Sequence, residues 1–248
     1  MESILLGKDS FADKSEYDLR YFYFNRTGAH ATCGIAFGTL LPIYRKFKGS
    51  RSDQLDLWYG AIAISPNPTV LGYLVEHVCL NAIENVGLKT VDPNLKTPLD
   101  KVFFDQQPDM KQLLNGCKTC QLYLPTIFNF PNIDALIVRV NNKGKGKGAY
   151  FYPIQITIAK VHKDSEAAFY REQWEAWKDP FVQKGYKVFS TFVWVNREEP
   201  SKKDVPEKTR GSRQKKVMVV EHAWQVETVT IKSLDMRLEN MIARWESC

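Results

Sequence analysis

Apolar residues recur at helical spacing between Thr69 and Val86, and Gly87 follows the last of them. This pattern predicts a helix over 69–86 that is buried on most sides and ends at the glycine. Glu76 lies inside the apolar surface of that helix. A carboxylate in such a position is costly unless it is paired, hydrogen-bonded or close to a cation.

Two segments rich in β-branched residues stand on either side of a Gly/Lys tract, and together they predict a hairpin with strands over 133–140 and 150–158. With the turn centred near Lys145, residue i pairs with residue ~290 − i, because paired positions in a hairpin sum to a constant. That register places Asp134 opposite Ile156 and beside Gln155. Side chains alternate between faces of a strand, so Gln155 and Thr157 share a face that lies next to Asp134.

In the rest of the chain the apolar residues are less regularly spaced, and each segment is assigned to one helix, strand or loop. Residues 88–130 are interpreted as loop and short helix, and residues 197–216 as a polar loop. Further elements are predicted downstream: a helix over 164–177, strands over 186–195 and 217–231, and a closing helix over 234–245. A strand–helix–strand order that includes a hairpin predicts an α/β or α+β fold around a mixed central sheet flanked by helices.

The chain of 248 residues is long enough for one large domain or a core domain with appendages. We interpret residues 1–64 as an aromatic-rich extension packed on the core, and residues 65–248 as the main domain. The sequence has no run of eighteen apolar residues and no secretory signal, so we expect an intracellular protein without a membrane span. An odd number of cysteines, five, is typical of free thiols in a reducing compartment.

The charge balance is mildly basic, with 34 Lys and Arg against 28 Asp and Glu. The distribution is more informative than the total, because bases cluster around the hairpin tip and just after the return strand. These bases are candidate phosphate contacts: Lys143, Lys145, Lys147, Lys160 and Lys163. A second basic run lies in 202–216. Lysines that neutralise phosphates release counterions, so the clusters predict a nucleic-acid partner, although solvated loops have the same composition.

The polar residues of the hairpin and of the first helix suggest metal-assisted chemistry. Hydrolysis of a phosphodiester needs hard oxygen ligands around Mg²⁺ and a water molecule to activate. Asp134 offers a carboxylate, Gln155 a side-chain carbonyl and Ile156 a main-chain carbonyl. Glu76 could then hold a water molecule of the metal, which we expect to be Mg²⁺ or Mn²⁺.

Three segments resemble the C-terminal nuclease domain of Crinkler effectors and of retrotransposon hot spot proteins, a branch of the PD-(D/E)XK superfamily. The matching segments are Ser65–His77, Phe130–Asp134 and Pro153–Thr157 with the trailing His162. The resemblance implies a restriction-endonuclease-like fold and a metal-dependent nuclease that acts on DNA in the nucleus, sometimes after delivery into another organism's cells. It also implies that Thr157 and His162 contact phosphate or water.

The chain departs from the wider superfamily pattern at two positions. Gln155 stands where an acid is usual, and Thr157 stands where a lysine would supply a cation to the scissile phosphate. No Gly-x-x-x-x-Gly-Lys-Ser/Thr motif occurs, so nucleotide hydrolysis is not predicted.

These departures keep two alternatives open. One is a catalytically inactive nucleic-acid-binding effector module that retains the nuclease fold. The other is a protein-interaction module in which Asp134 merely caps a turn, Glu76 pairs with an arginine and Gln155 is a satisfied core amide. The sequence predicts no oligomeric state.

Overall fold

The computed structural model describes residues 22–25, 28–31, 59–60, 68–105, 108–126, 130–142, 146–158, 165–197 and 224–246. The chain divides into two compact units, of which the first is Met1–Ile83 with Ile231–Cys248 and the second is Glu84–Thr230. The predicted boundary between residues 64 and 65 falls within the first unit and stays a prediction.

The elements follow one another in a regular order. They are β1 (Phe22–Asn25), β2 (Gly28–Ala31), α1 (Pro68–Val86), β3 (Lys101–Phe104), α2 (Lys111–Leu114), β4 (Cys120–Pro125), β5 (Ala135–Asn141), β6 (Gly148–Ile156), α3 (Ser165–Glu172), α4 (Trp174–Gln183), β7 (Lys187–Asn196), β8 (Gln225–Thr230), α5 (Ile231–Leu234) and α6 (Met236–Glu246). None of the helices in the described parts of the chain is long and apolar enough to cross a membrane.

The first unit contains the β1–β2 hairpin, most of α1 and the closing helices. The predicted helix over 69–86 is confirmed, and the φ of +73° at Gly87 explains why the helix ends at that glycine. The predicted closing helix is confirmed as α6, which follows the short α5. The Asp235 carboxylate caps α6 by accepting a hydrogen bond of 2.9 Å from the main-chain nitrogen of Leu238.

The second unit is built on a six-stranded sheet with the order β3-β4-β5-β6-β7-β8. Strand β5 is antiparallel to both of its neighbours, whereas the other neighbouring pairs are parallel. The predicted mixed α/β architecture is therefore confirmed. The predicted strand over 186–195 is also confirmed as β7.

The interpretation of 88–130 as loop and short helix is wrong for β3 and β4. Strand β4 was not predicted because its second residue, Gln121, is polar and yet only 2% exposed. Gln121 donates to the Gln112 side chain at 3.0 Å and accepts from the Tyr123 hydroxyl at 2.9 Å. These partners satisfy the buried amide, which periodicity alone would assign to a surface position.

The hairpin of β5 and β6 is confirmed, with a register one residue from the predicted one. Ala135 pairs with Ile154, so paired positions sum to 289 and the next step places Asp134 opposite Gln155. Pro153 has no N–H group to donate, and the pairing of β6 with β7 skips from Phe151 to Ile154.

Helices α3 and α4 pack on one face of this sheet. The predicted single helix over 164–177 is instead two helices that meet at Gln173, and the second continues to Gln183. The Phe151 ring contacts those of Trp174 and Phe181 edge-on, with centroids 5.2 and 5.3 Å apart. Trp174 and Trp177 are buried in this cluster, as core residues rather than an exposed stacking surface.

Strand β8 accounts for residues 225–230 of the predicted strand over 217–231. Residues 217–223 of that strand lie outside the described residues. So does the predicted polar loop, apart from its first residue, Arg197.

A buried ion pair joins the segment after α1 to the hairpin. The Asp92 carboxylate, 4% exposed, accepts from the Arg139 Nε at 2.5 Å and from the Tyr152 hydroxyl at 2.6 Å. Asn94 donates to the other carboxylate oxygen through its main-chain nitrogen at 2.9 Å. Burial raises the pKa of Asp92, but the hydrogen bonds from Tyr152, Asn94 and Arg139 lower this pKa by more, so that it lies below its usual value.

We expect the substitution Asp92→Ala to lower the free energy of unfolding by about 3–5 kcal/mol, because it leaves Arg139 buried without its partner. Asp100→Ala is the matched control, since Asp100 pairs with Lys118 at a site where both side chains are about half exposed. An exposed pair contributes about 1 kcal/mol or less. Urea denaturation of both variants measures the difference, and equal losses would contradict a structural role for the Asp92 pair.

Candidate metal and nucleic-acid site

Asp134 is placed by the turn that precedes β5. Asn132 adopts a φ of +72°, which an asparagine tolerates better than most residues, and the chain bends here just before the strand. The Gln173 side chain, where α3 meets α4, donates to the main-chain oxygen of Pro131 at 2.9 Å. The main-chain nitrogen of Asp134 then donates to the main-chain carbonyl oxygen of Ile154 at 2.8 Å. The turn, the helix junction and the hairpin thus jointly fix this residue.

The Asp134 carboxylate meets the neighbouring strand through one of its two oxygens. Oδ2 accepts from the Gln155 Nε2 at 2.8 Å and from the main-chain nitrogen of Ile156 at 2.6 Å. Neither Asp134 Oδ1 nor Gln155 Oε1 has a hydrogen-bond partner among the described residues. The structure therefore brings together three of the residues that sequence analysis selected.

The hydrogen bond from Ile156 also matches the alternative in which Asp134 caps a turn. The carboxylate takes the place of a main-chain acceptor where the β5–β6 pairing ends. Capping occupies Oδ2 alone, so the same side chain can cap the hairpin and still present Oδ1. The two interpretations of Asp134 are compatible.

Burial dominates the electrostatics of Asp134. Removal from water raises the pKa of this carboxyl group from 3.8 to about 6, although the hydrogen bonds from Ile156 and Gln155 act in the opposite direction. Within the described residues, no ion pair supplies a positive charge to Asp134. A carboxylate held in this way gains from any cation that reaches Oδ1.

The other predicted residues are less closely tied to this centre. Glu76 is half-buried on α1, in the first unit, so its predicted role beside Asp134 stays a prediction. Thr157 is half-buried two residues after Gln155, and its main-chain nitrogen donates to the Val195 carbonyl at 2.9 Å. His162 lies outside the described residues.

One of the candidate phosphate-binding lysines lies within the described residues. Lys147 is exposed at the base of the hairpin tip, and its Nζ lies 5.4 Å from the centre of the Tyr186 ring. The remaining candidates, which lie outside the described residues, are Lys143, Lys145, Lys160 and Lys163. The basic run 202–216 lies outside the described residues as well. Their roles stay predictions.

The oxygen donors at Asp134 suit a magnesium ion bound through one carboxylate. Among the described residues there is no group of three or more His, Cys, Asp or Glu side chains that could hold a metal. Mg²⁺ commonly uses one or two carboxylates and keeps several of its water molecules, so a dense cluster of acids is not required. Asp134 Oδ1, Gln155 Oε1 and the main-chain carbonyl of Ile156 are the donors that would hold the ion.

Asn196, the last residue of β7, is a polar residue of this sheet edge that sequence analysis missed. Its Oδ1 is buried and has no hydrogen-bond partner among the described residues. The available signal was weak, since an asparagine that ends an apolar strand usually marks the start of a loop.

A separate cleft of about 420 Å³ lies at the opposite end of β7. It is lined by Tyr170, Trp174, Lys178, Val182, Val188, Phe189, Ser190, Thr191, Trp224 and Gln225. The Lys178 ammonium group is already paired with Asp179 at 3.1 Å, and none of these described lining residues carries a carboxylate. Its lining gives no support for metal chemistry.

No protein-family model, curated protein or solved structure matches this chain. The resemblance to Crinkler and retrotransposon hot spot nuclease domains therefore depends on the sequence motifs and stays a prediction.

The raised pKa of Asp134 predicts how stability depends on pH when no divalent cation is present. The folded state binds this proton more tightly than the unfolded chain, so the contribution is fully present below a pH of about 4 and is lost as the pH rises through about 6. Relative to Asp134→Asn, we expect the wild type to lose up to about 3 kcal/mol of unfolding free energy between those limits. Urea denaturation of both proteins in EDTA across this range measures the difference, and parallel pH profiles would contradict it.

Proposed function

We propose that this protein is a metal-dependent nuclease of the restriction-endonuclease-like type, with Asp134 as its principal metal ligand. The observation that carries the proposal is the half-buried Asp134 carboxylate. Its Oδ2 is fixed by two hydrogen bonds, its Oδ1 has no hydrogen-bond partner among the described residues, and its pKa is raised to about 6. Gln155 and the main-chain carbonyl of Ile156 complete the donor set.

The arrangement of elements supports this proposal. The layout expected from the resemblance is an aspartate at the start of one strand and a Gln-x-Thr segment on its hairpin partner, and Asp134 directly precedes β5. The hydrogen bond from Gln155 to Asp134 supports this proposal, because it shows that the two side chains lie side by side. A mixed sheet with α3 and α4 on one face supplies the expected rigid support.

The chemistry follows from the residue types at the site. A bound divalent cation would stabilise the charge that develops on the phosphate and would help to activate water. Asp134 and Gln155 would orient such an ion, and Thr157 is proposed to contact a phosphate oxygen or a water molecule. Glu76 and His162 are proposed to hold and deprotonate water. DNA as the substrate and the nucleus as the location are carried over from the resemblance.

Asp134→Asn should reduce Mg²⁺-dependent cleavage of plasmid DNA to the level seen without protein, because the amide removes the charge that holds the ion. The fold should remain, since the asparagine Oδ1 can still accept from Ile156. Asp179→Asn is the matched control, because Asp179 is an exposed helix residue paired with Lys178. Agarose-gel assays with Mg²⁺ and with EDTA provide the measurement. Equal cleavage by the wild type and Asp134→Asn would overturn the proposal.

A catalytically inactive nucleic-acid-binding module is the second candidate. It is favoured by Thr157, which cannot supply the positive charge that a lysine gives to a scissile phosphate. The absence of a cluster of three metal-binding side chains among the described residues also favours it. This candidate keeps the basic hairpin tip and needs no turnover.

The substitution Lys147→Ala tests whether the basic hairpin tip binds DNA. If the exposed Lys147 contacts one phosphate, the slope of log K against log salt concentration for duplex DNA should become shallower by about 0.9. Lys118→Ala, which removes an exposed lysine paired with Asp100, is the matched control and should leave the slope unchanged. Fluorescence anisotropy over a salt series gives both slopes. Salt-dependent binding without cleavage by the wild type would favour the second candidate over the first.

A further inference from the structure

Asn196 lies at the same edge of the sheet as Asp134 and on the same face as Gln155. Strands β6, β7 and β8 end at this edge, and β5 begins there. Gln155 is in parallel register with Trp194, and Asn196 is two residues further along β7. Because side chains alternate along a strand, Trp194 and Asn196 project on the side of Gln155. The sequence thus forms a polar row at the ends of three adjacent strands.

The Asn196 side chain has an oxygen that receives no hydrogen bond from the described residues. This oxygen, Oδ1, is buried. A buried acceptor without a donor destabilises the fold, and where such a group persists in a protein it commonly binds an ordered water molecule or serves a ligand. An amide oxygen in this environment needs a donor, which excludes a phosphate oxygen as its direct partner.

Strand geometry sets the distance over which Asn196 can act. With strands about 4.8 Å apart and an advance of about 3.3 Å per residue, the Cα of Asn196 lies about 8 Å from that of Gln155 and about 12 Å from that of Asp134. Side chains that project from the same face at that separation are too far apart for Asn196 and Asp134 to bind one ion directly. A water molecule of the ion's hydration shell can span the gap.

We propose that Asn196 is a positioning residue, whose Oδ1 accepts a hydrogen bond from the hydration water of a divalent cation held at Asp134 and Gln155. This inference rests on the proposed function and deepens it, because it names a group that orients water at the site. Outer groups of this kind typically change metal affinity by about 10–100-fold. Asn196 would act without touching the ion.

The test is the affinity for Mn²⁺, measured by isothermal titration calorimetry on the whole chain, together with the melting temperature in EDTA. Asn196→Leu keeps the size of the side chain and removes the acceptor. We expect its Kd for Mn²⁺ to rise by about tenfold or more, while its melting temperature in EDTA is unchanged or higher. Asn196→Asp should lower both the Kd and the melting temperature in EDTA, because it adds a buried charge that the ion compensates.

Asn142→Leu is the matched control at the opposite edge of the sheet. The Asn142 Oδ1 already accepts from the Tyr186 hydroxyl at 2.9 Å, so this variant should lose stability and keep the wild-type Kd.

Asp134→Asn separates the two proposals, since it should abolish Mn²⁺ binding. If Asp134→Asn abolishes binding and Asn196→Leu leaves the Kd unchanged, the role of Asn196 is overturned and the metal site survives. A lower melting temperature for Asn196→Leu with an unchanged Kd makes Asn196 purely structural. If the wild type binds no Mn²⁺, both proposals fail.

Discussion

The hydrogen bonds that hold the Asp134 carboxylate against β6 are the constraint on which the proposed site depends. They fix one carboxylate oxygen in a half-buried position, while no ion pair from the described residues compensates the charge. The pKa of about 6 expresses this conflict, because burial raises the pKa by more than the hydrogen bonds lower it. A folded protein keeps such a group at a cost to its stability, and residues with this character are concentrated at functional sites.

The surrounding fold supports that carboxylate through rigid elements. The aromatic cluster of α3 and α4 packs on the hairpin, and the Gln173 side chain ties the junction of these helices to the turn before Asp134. The buried pair of Asp92 and Arg139 fastens the segment after α1 to β5. Asp134 is therefore held by a packed sheet rather than by a free loop, as a site that orients an ion requires.

Asp92 and Asp134 show how a structural carboxylate differs from a proposed metal ligand. Both are acidic groups in contact with the β5–β6 hairpin. Asp92 has an arginine, a tyrosine and an asparagine as partners, and its pKa is lowered. Among the described residues, Asp134 has two neutral donors, Gln155 and the main chain of Ile156, and its pKa is raised. The first arrangement is complete without a ligand, whereas the second is the one that a cation would improve.

Sequence patterns predicted the elements that carry the site, but not all of their surroundings. The period of the apolar residues predicted α1, and the β-branched runs around the Gly/Lys tract predicted the hairpin with Asp134 beside Gln155. The exact register was one residue off, because the turn length cannot be read from a glycine-rich tract. Strand β4 was missed, since the buried Gln121 is satisfied by partners that only the folded chain brings near. Asn196 was missed for the same reason, because its proximity to Gln155 depends on the parallel pairing of distant segments.

The most direct measurement of the central claim is a ¹³C NMR titration of the Asp134 carboxyl group, with and without Mg²⁺. In the absence of the ion we expect this group to titrate with a pKa of about 6, and addition of Mg²⁺ should move the pKa clearly downward. A carboxyl group that titrates near 3.8 and does not respond to Mg²⁺ would contradict the account.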